Sequence, residues 1–350
     1  MRSVRLSCVL ALLLTGCPDL PDEQGSEVTG GIDGEQGPVD EISQEALREL
    51  PPCSFSILNA FSEDEVQPPG EASGGWMAPE DDTLAAIGAS FEALLNIDPG
   101  VALGQTAVVG YTMCRGSGEE GQMVLWRPAW PGTGRALFAW RIGAVNDLII
   151  EAPHAWASPA TMEQAIATFQ ATGARALIAG GSHPCSNVDA VGCGSDSVCG
   201  TDTALASDVA RNDATVFQLA HRLLADRYPS AWVVSLQPMD DSGVSVSNGT
   251  LGEAISGGAA EAVGLALADA LPDQLVTSCN PYEGAVVEAR YCGVDSVQAR
   301  YINGAADVCT DNSAPSSGRY VQLSQSPEVQ AHVLTVADAI ATAVSTQLAD

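Results

Sequence analysis

The chain has 350 residues, 44 of them acidic and 14 basic, for a formal net charge of −30. Every basic residue is an arginine. A surface this acidic repels nucleic acid and anionic lipid headgroups, which argues against DNA or RNA as a partner and against polybasic membrane docking. The length allows one large domain or two small ones.

At the N-terminus, Arg2 and Arg5 precede an apolar run over residues 9–14 that is far too short to span a bilayer. The run closes on Leu14-Thr15-Gly16-Cys17, which resembles a bacterial lipobox. That resemblance implies a signal peptide over residues 1–16 and lipidation of Cys17, which becomes the first residue of the mature chain. It further implies a protein held to the lipid bilayer of the bacterial cell envelope, at the outer membrane rather than the inner. Residues 17–50 are expected as a tether: positions 18–50 carry ten acidic residues and one basic, with several Gly and Pro and no apolar period. Such a segment repels itself and extends. Residues 51–350 are expected to form a single domain.

Ten cysteines occur in the chain. With Cys8 lost in the signal and Cys17 lipidated, Cys53, Cys114, Cys185, Cys193, Cys199, Cys279, Cys292 and Cys309 remain. An even set in an exported chain reads as disulfides, in a pairing that spacing cannot choose. The absence of C-x-x-C weakens zinc-ribbon and thioredoxin-like readings.

Residues 51–82 read as loop, with Pro51-Pro52, Pro68-Pro69 and Gly74-Gly75. Residues 83–96 place Leu84, Ile87, Phe91 and Leu94 on one helical face, stopped by Asn96 and Pro99-Gly100. Short apolar or alternating runs over 107–112, 122–126 and 136–140 predict strands. The rhythm then changes to a strand over 147–152, a helix over 160–172, a strand over 174–179 and a long helix over 207–228 with Ser207 as its N-cap. Further elements are expected as a strand over 232–236, a helix over 251–270, strands over 274–277 and 319–323, and a helix over 327–348. Strands alternating with helices predict an α/β fold, a three-layer αβα sandwich with a largely parallel or mixed central sheet.

Only four histidines are present. His154 follows the strand over 147–152 and His183 follows the strand over 174–179, behind Gly180-Gly181, where the backbone can turn sharply. Ligands of open α/β sheets bind beyond the carboxyl ends of strands. The two imidazoles are therefore candidates to converge on a metal or a substrate. Alternatively, each caps its strand and bonds a backbone carbonyl. His221 lies at the edge of an apolar helical stripe and reads as a satisfied core histidine, and His332 as a surface one. No H-E-x-x-H, G-x-S-x-G or P-loop occurs.

Several segments recur in a telling order. These are Glu151-Ala152-Pro153-His154, Thr161 opening a helix, Gly181-Ser182-His183, Val234-Ser235-Leu236-Gln237, Arg300-Tyr301-Ile302-Asn303-Gly304, and the stretch from Gly318 to Ser326. Over roughly residues 120–345 this order resembles the zinc-dependent amidohydrolases related to N-formylglutamate amidohydrolase. Their phosphorylase/hydrolase-like fold is shared with zinc carboxypeptidases. The resemblance implies zinc as cofactor, held by a His, a nearby carboxylate and a second His, with a carboxylate or His as base. It places His154 and His183 as metal ligands, and Arg300 and Asn303 on the carboxylate of a peptide or acyl-amino-acid ligand. The sequence departs from that pattern in three places. Residues 155–158 carry no carboxylate, Gln237 stands where a second His would suit, and Ser324 stands where an acid would suit. Neutral Gln and Ser bind zinc poorly. The expectation is therefore an envelope lipoprotein with a zinc amidohydrolase-like domain that has lost catalysis and binds a peptide or carboxylated ligand. A structural or interaction lipoprotein with no small-ligand site is the alternative.

Overall fold

The computed structural model describes residues 47–347, apart from 55, 63–65, 97, 117–121, 131, 192, 195–197 and 313–314. The signal, Cys17 and the tether up to residue 46 lie outside the described residues. The described chain opens on Leu47 and Leu50, both buried in the core.

In chain order the elements are α1 (Ile57–Ala60), α2 (Asp81–Leu95), α3 (Pro99–Val108), β1 (Tyr111–Gly116), β2 (Met123–Pro128), β3 (Leu137–Arg141), β4 (Asn146–Ala152), α4 (Pro159–Thr172) and β5 (Ala174–Ala179). There follow α5 (Val216–Arg227), β6 (Trp232–Pro238), β7 (Val244–Ser247), α6 (Ala259–Ala270), β8 (Val276–Ser278), α7 (Val297–Ile302), β9 (Tyr320–Gln325), α8 (Pro327–Gln330) and α9 (Val333–Gln347). The nine strands form one sheet in the order β1-β2-β3-β5-β4-β6-β9-β7-β8. Its centre, β5-β4-β6-β9, is parallel, whereas β1, β2 and β3 run antiparallel to their neighbours and β7 runs antiparallel to β9. The sheet is mixed, and helices cover both faces.

Strand alternation divides the core. Leu148, Ile150 and Ala152 of β4 point to one face, where Phe169 of α4, Val263 of α6 and Ile340 of α9 close over them. Ile149 of β4 and Val233 of β6 point to the other face, toward Phe91 of α2 and Phe217 of α5. There an aromatic cluster gathers, with Phe91 and Trp126 stacked at 4.9 Å and Tyr111 at 5.2 Å from Trp126. All eight cysteines pair, as 53–114, 185–199, 193–309 and 279–292.

Some boundaries differ from expectation, each for a local reason. Residues 99–108 form a helix rather than leading into a strand at 107, because the Asp98 carboxylate accepts the Val101 N–H at 3.0 Å and nucleates a new turn. The helix expected from 207 begins only at Val216, capped by the Thr215 hydroxyl, which accepts the Gln218 N–H at 3.1 Å. Residues 207–215 are loop because Asp208 and Arg211 are drawn to partners described below. The helix expected over 251–270 starts at Ala259. Ahead of it the Asn280 amide donates to the carbonyls of Thr250 and Gly252, both at 2.8 Å, and so fixes that stretch as loop. The last helix is split at residues 331–332 into α8 and α9. β7 and α7, only four and six residues long, carried too short a pattern to be foreseen.

Candidate functional site

The parallel strands β5, β4, β6 and β9 end side by side, and the sequence candidates sit at these ends. Beyond β4 the chain makes a tight turn, with Ala157 N–H donating to the His154 carbonyl at 3.0 Å. Beyond β5 it passes so close to its neighbours that a Cβ on Gly180 would lie 2.3 Å from the Pro153 carbonyl oxygen. One on Gly181 would lie 1.8 Å from that of Arg135. Both positions therefore require glycine. Their squeeze holds the His154 turn against the β5 tip, where Trp156 Nε1 donates to the Gly180 carbonyl at 2.7 Å.

His154 is buried, and its Nε2 lies 2.7 Å from Asp208 Oδ1. Asp208, itself fully buried, accepts the Ala210 N–H at 3.2 Å and an Arg211 guanidinium N–H at 3.1 Å. Arg211 in turn donates to Asp295 at 2.6 and 3.4 Å. The result is a run of alternating groups, His154–Asp208–Arg211–Asp295, that clasps the loops on either side of the strand tips. Burial pushes the Asp208 carboxyl up, but the His154 and Arg211 partners outweigh it and hold it down at about 2. The same two carboxylates raise the Arg211 pKa against the opposing effect of burial.

His183 is half-buried, with its backbone N–H on the Pro69 carbonyl at 3.0 Å and its Nδ1 accepting the Cys185 N–H at 3.1 Å. Its pKa is lowered. Burial is the main cause and is assisted by His154, while Glu71 opposes it.

At the neighbouring tips the side chains are neutral and satisfy one another. Gln237 Nε2 donates to Ser235 Oγ at 3.3 Å and to Gln322 Oε1 at 3.1 Å, and Gln322 Nε2 donates to Ser324 Oγ at 3.1 Å. The loop closed by Cys279–Cys292 lies over this row. Ser247 Oγ donates to the Cys292 carbonyl at 2.6 Å, and a Cβ on Gly293 would sit 2.3 Å from Gln322 Oε1. Gln237 and Ser324 are only 6% and 2% exposed.

Arg300 and Asn303 sit at the end of α7. The Arg300 guanidinium donates to the carbonyls of Val294, Val308 and Cys309 and to the Asn312 side chain. Asn303 bridges the Asn248 carbonyl and the Ser317 N–H. Both tie loops together with the groups that would otherwise meet a ligand's carboxylate.

A second buried pair lies deeper on β4. His221 Nδ1 is 2.6 Å from Glu151 Oε1, both side chains are fully buried, and Tyr301 stands edge-on to the imidazole at 5.7 Å. His221 is thus a core histidine, and His332 is exposed. Sequence reasoning did not pick out Asp208, Arg211 or Asp295. One signal was available: Asp208 and Arg211, three residues apart, put two charges into a stretch assigned to an inward-facing helix.

A catalytic zinc takes three protein ligands and a structural one four. Among the described residues, one trio of His, Cys, Asp or Glu brings its ligand atoms within 4.8 Å of each other, and it is Cys193, Asp213 and Cys309. That group is compatible in kind with zinc, but its two sulfurs are bonded to each other. Among the described residues His154 and His183 belong to no such trio, and His154 Nε2 is taken by Asp208. The donor set at the strand tips does not fit a resident zinc.

No family model matches the chain, and no curated protein matches it. Among solved structures, the chain is similar to the N-acetylmuramoyl-L-alanine amidase AmiC2 of Nostoc punctiforme, at 10% identity and a TM-score of 0.29, covering 59% of this chain and 99% of that one. It is also similar to a putative metallopeptidase from Shewanella amazonensis SB2B, at 14% identity and a TM-score of 0.33, covering 74% of this chain and 92% of that one. Likeness at this level leaves function to be read from the residues themselves.

Proposed function

We propose that this chain is an envelope lipoprotein, held to the outer-membrane bilayer through lipidated Cys17, whose amidohydrolase-like domain no longer hydrolyses amides. One observation carries the reading. Gln237, Gln322 and Ser324 form a closed, neutral hydrogen-bonded row at the tips of β6 and β9, where the resemblance implies a metal ligand and a base. A neutral amide or hydroxyl with its hydrogen bonds already made supplies neither a ligand for zinc nor a base for water.

If the domain takes a peptide or carboxylated ligand, His183 is the tip side chain with the exposure to meet it. The burial of His154, Asp208, Gln237 and Ser324 favours a second reading, an interaction lipoprotein with no small-ligand site. Metal analysis of the dialysed protein, with assays on N-acylated amino acids and short peptides, tests the first statement. Substoichiometric zinc and no hydrolysis are expected. Stoichiometric zinc that disappears in His154→Ala together with amide hydrolysis would overturn it. Calorimetric titration with the same compounds separates the two binding readings, since heat that is lost in His183→Ala supports a ligand site at the strand tips.

A further inference from the structure

The Cys193–Cys309 bridge differs from the other three in its surroundings. It closes the longest loop, its two ends 116 positions apart in the chain. Asp213 Oδ1 lies 3.5 Å from Cys193 Sγ. A disulfide sulfur carries no hydrogen, so in the oxidised protein the carboxylate gains nothing from that contact. With the bridge open the contact acquires a purpose. A Cys193 thiol can donate its S–H to Asp213, and a Cys193 thiolate can share a cation with it. The three ligand atoms lie within 4.8 Å of one another with the bridge closed; once it opens the sulfurs part, and sulfur bonds of about 2.3 Å and oxygen bonds of about 2.0–2.2 Å let one metal reach all three.

We propose that Cys193, Cys309 and Asp213 form a redox-gated site for a thiophilic divalent cation such as zinc, closed by the disulfide and opened by an external dithiol. Cys193 is 2% exposed and Cys309 is half-buried, so the incoming thiolate attacks Cys309 Sγ. The S–S bond breaks, and Cys193 leaves as a thiolate that takes up a proton beside Asp213. The second thiolate of the reductant then attacks the mixed disulfide and releases Cys309. Two electrons and two protons pass to the protein, and the reductant ends as its own disulfide. Zinc then displaces both thiol protons and takes the two thiolates and one Asp213 oxygen, which leaves a fourth position for water. The site adjoins the clasp around His154, since a Cβ on Gly194 would lie 3.4 Å from Asp295 Cβ and 3.7 Å from Arg211 Cδ. It is independent of whether the strand tips bind a ligand.

The test uses the full chain in detergent. The protein is reduced with a water-soluble phosphine, desalted without oxygen and titrated with zinc against a chromophoric chelator. Asp213→Asn and the double variant Cys193→Ser/Cys309→Ser are run alongside it. The reduced wild type should bind one zinc that the oxidised protein does not, and Asp213→Asn should bind it at least about tenfold more weakly. Asp213 is exposed, so Asp213→Asn should fold with the bridge intact, and the comparison stands even if the double variant does not fold. Equal zinc uptake before and after reduction would overturn the proposal. So would unchanged affinity in Asp213→Asn, or the same equivalent bound by the reduced double variant, which would place the metal on other thiols.

Discussion

Replacing Asp208 with Asn removes the one negative charge shared by His154 and Arg211 while nearly preserving shape. Asp208 is fully buried, and its carboxyl lies at about 2 against an ordinary 3.8. At about 1.4 kcal/mol per pH unit, that depression corresponds to roughly 2 kcal/mol of stability at neutral pH. Removing one member of a buried charged pair can cost about 3–5 kcal/mol, but the Asn amide can still bond His154 and accept the Ala210 N–H. The lower figure is therefore expected. Because the folded carboxyl titrates below the unfolded one, its contribution is complete above about 4 and is lost as the pH falls toward about 2. Urea unfolding of wild type and Asp208→Asn, at pH 7 and at steps down to pH 3, should show a constant gap of about 2 kcal/mol above pH 5 that narrows below pH 4. A gap under about 0.5 kcal/mol at pH 7, or one as wide at pH 3 as at pH 7, would refute the view that this carboxylate is the charged hub of the clasp.

Gly181→Ala should destabilise by more than about 4 kcal/mol or leave the protein insoluble, because its Cβ meets a backbone carbonyl at 1.8 Å that cannot move without parting β3 from β5. Gly143→Ala, where φ is +64° but nothing lies within 4 Å, is the control and should cost only about 1 kcal/mol by thermal melts. Deleting residues 20–46 should leave the melting temperature of the domain nearly unchanged. Extending the deletion through residue 50 should lower it by several degrees, since Leu47 and Leu50 are buried and each contributes about 2 kcal/mol or more. Cys17→Ser should move the protein from the membrane fraction to the soluble one, and a variant that stays membrane-bound would remove the lipid-anchor reading.

Where local pattern alone decides an element, the sequence determined it. β5 occupies residues 174–179 as read, because a strand buried on both faces has to be a short, mostly apolar run between breakers, here interrupted by Arg175, which pairs with Asp147. Likewise α4 follows from its spaced Met162, Ile166 and Phe169, and α2 ends at Leu95 with Asn96 as its cap, since helix period and stop signals lie within a few residues of each other. Eight paired cysteines were legible as a number, although which sulfur meets which depends on loop paths that spacing does not encode. The departures at Gln237 and Ser324 were equally visible in the sequence as neutral residues at strand ends.

Tertiary structure alone decided what those residues do. Ser207 looked like a helix cap because the sequence around it is locally helical, yet the energy of placing Asp208 between His154 and Arg211 outweighs a first turn of helix. The same competition engages the Arg300 guanidinium, which four acceptors from residues 294–312 surround. Charges choose partners through space over a few ångströms. The partners here are separated by 54 residues for His154 and Asp208, and by 84 for Arg211 and Asp295, and no periodicity along the chain carries that information.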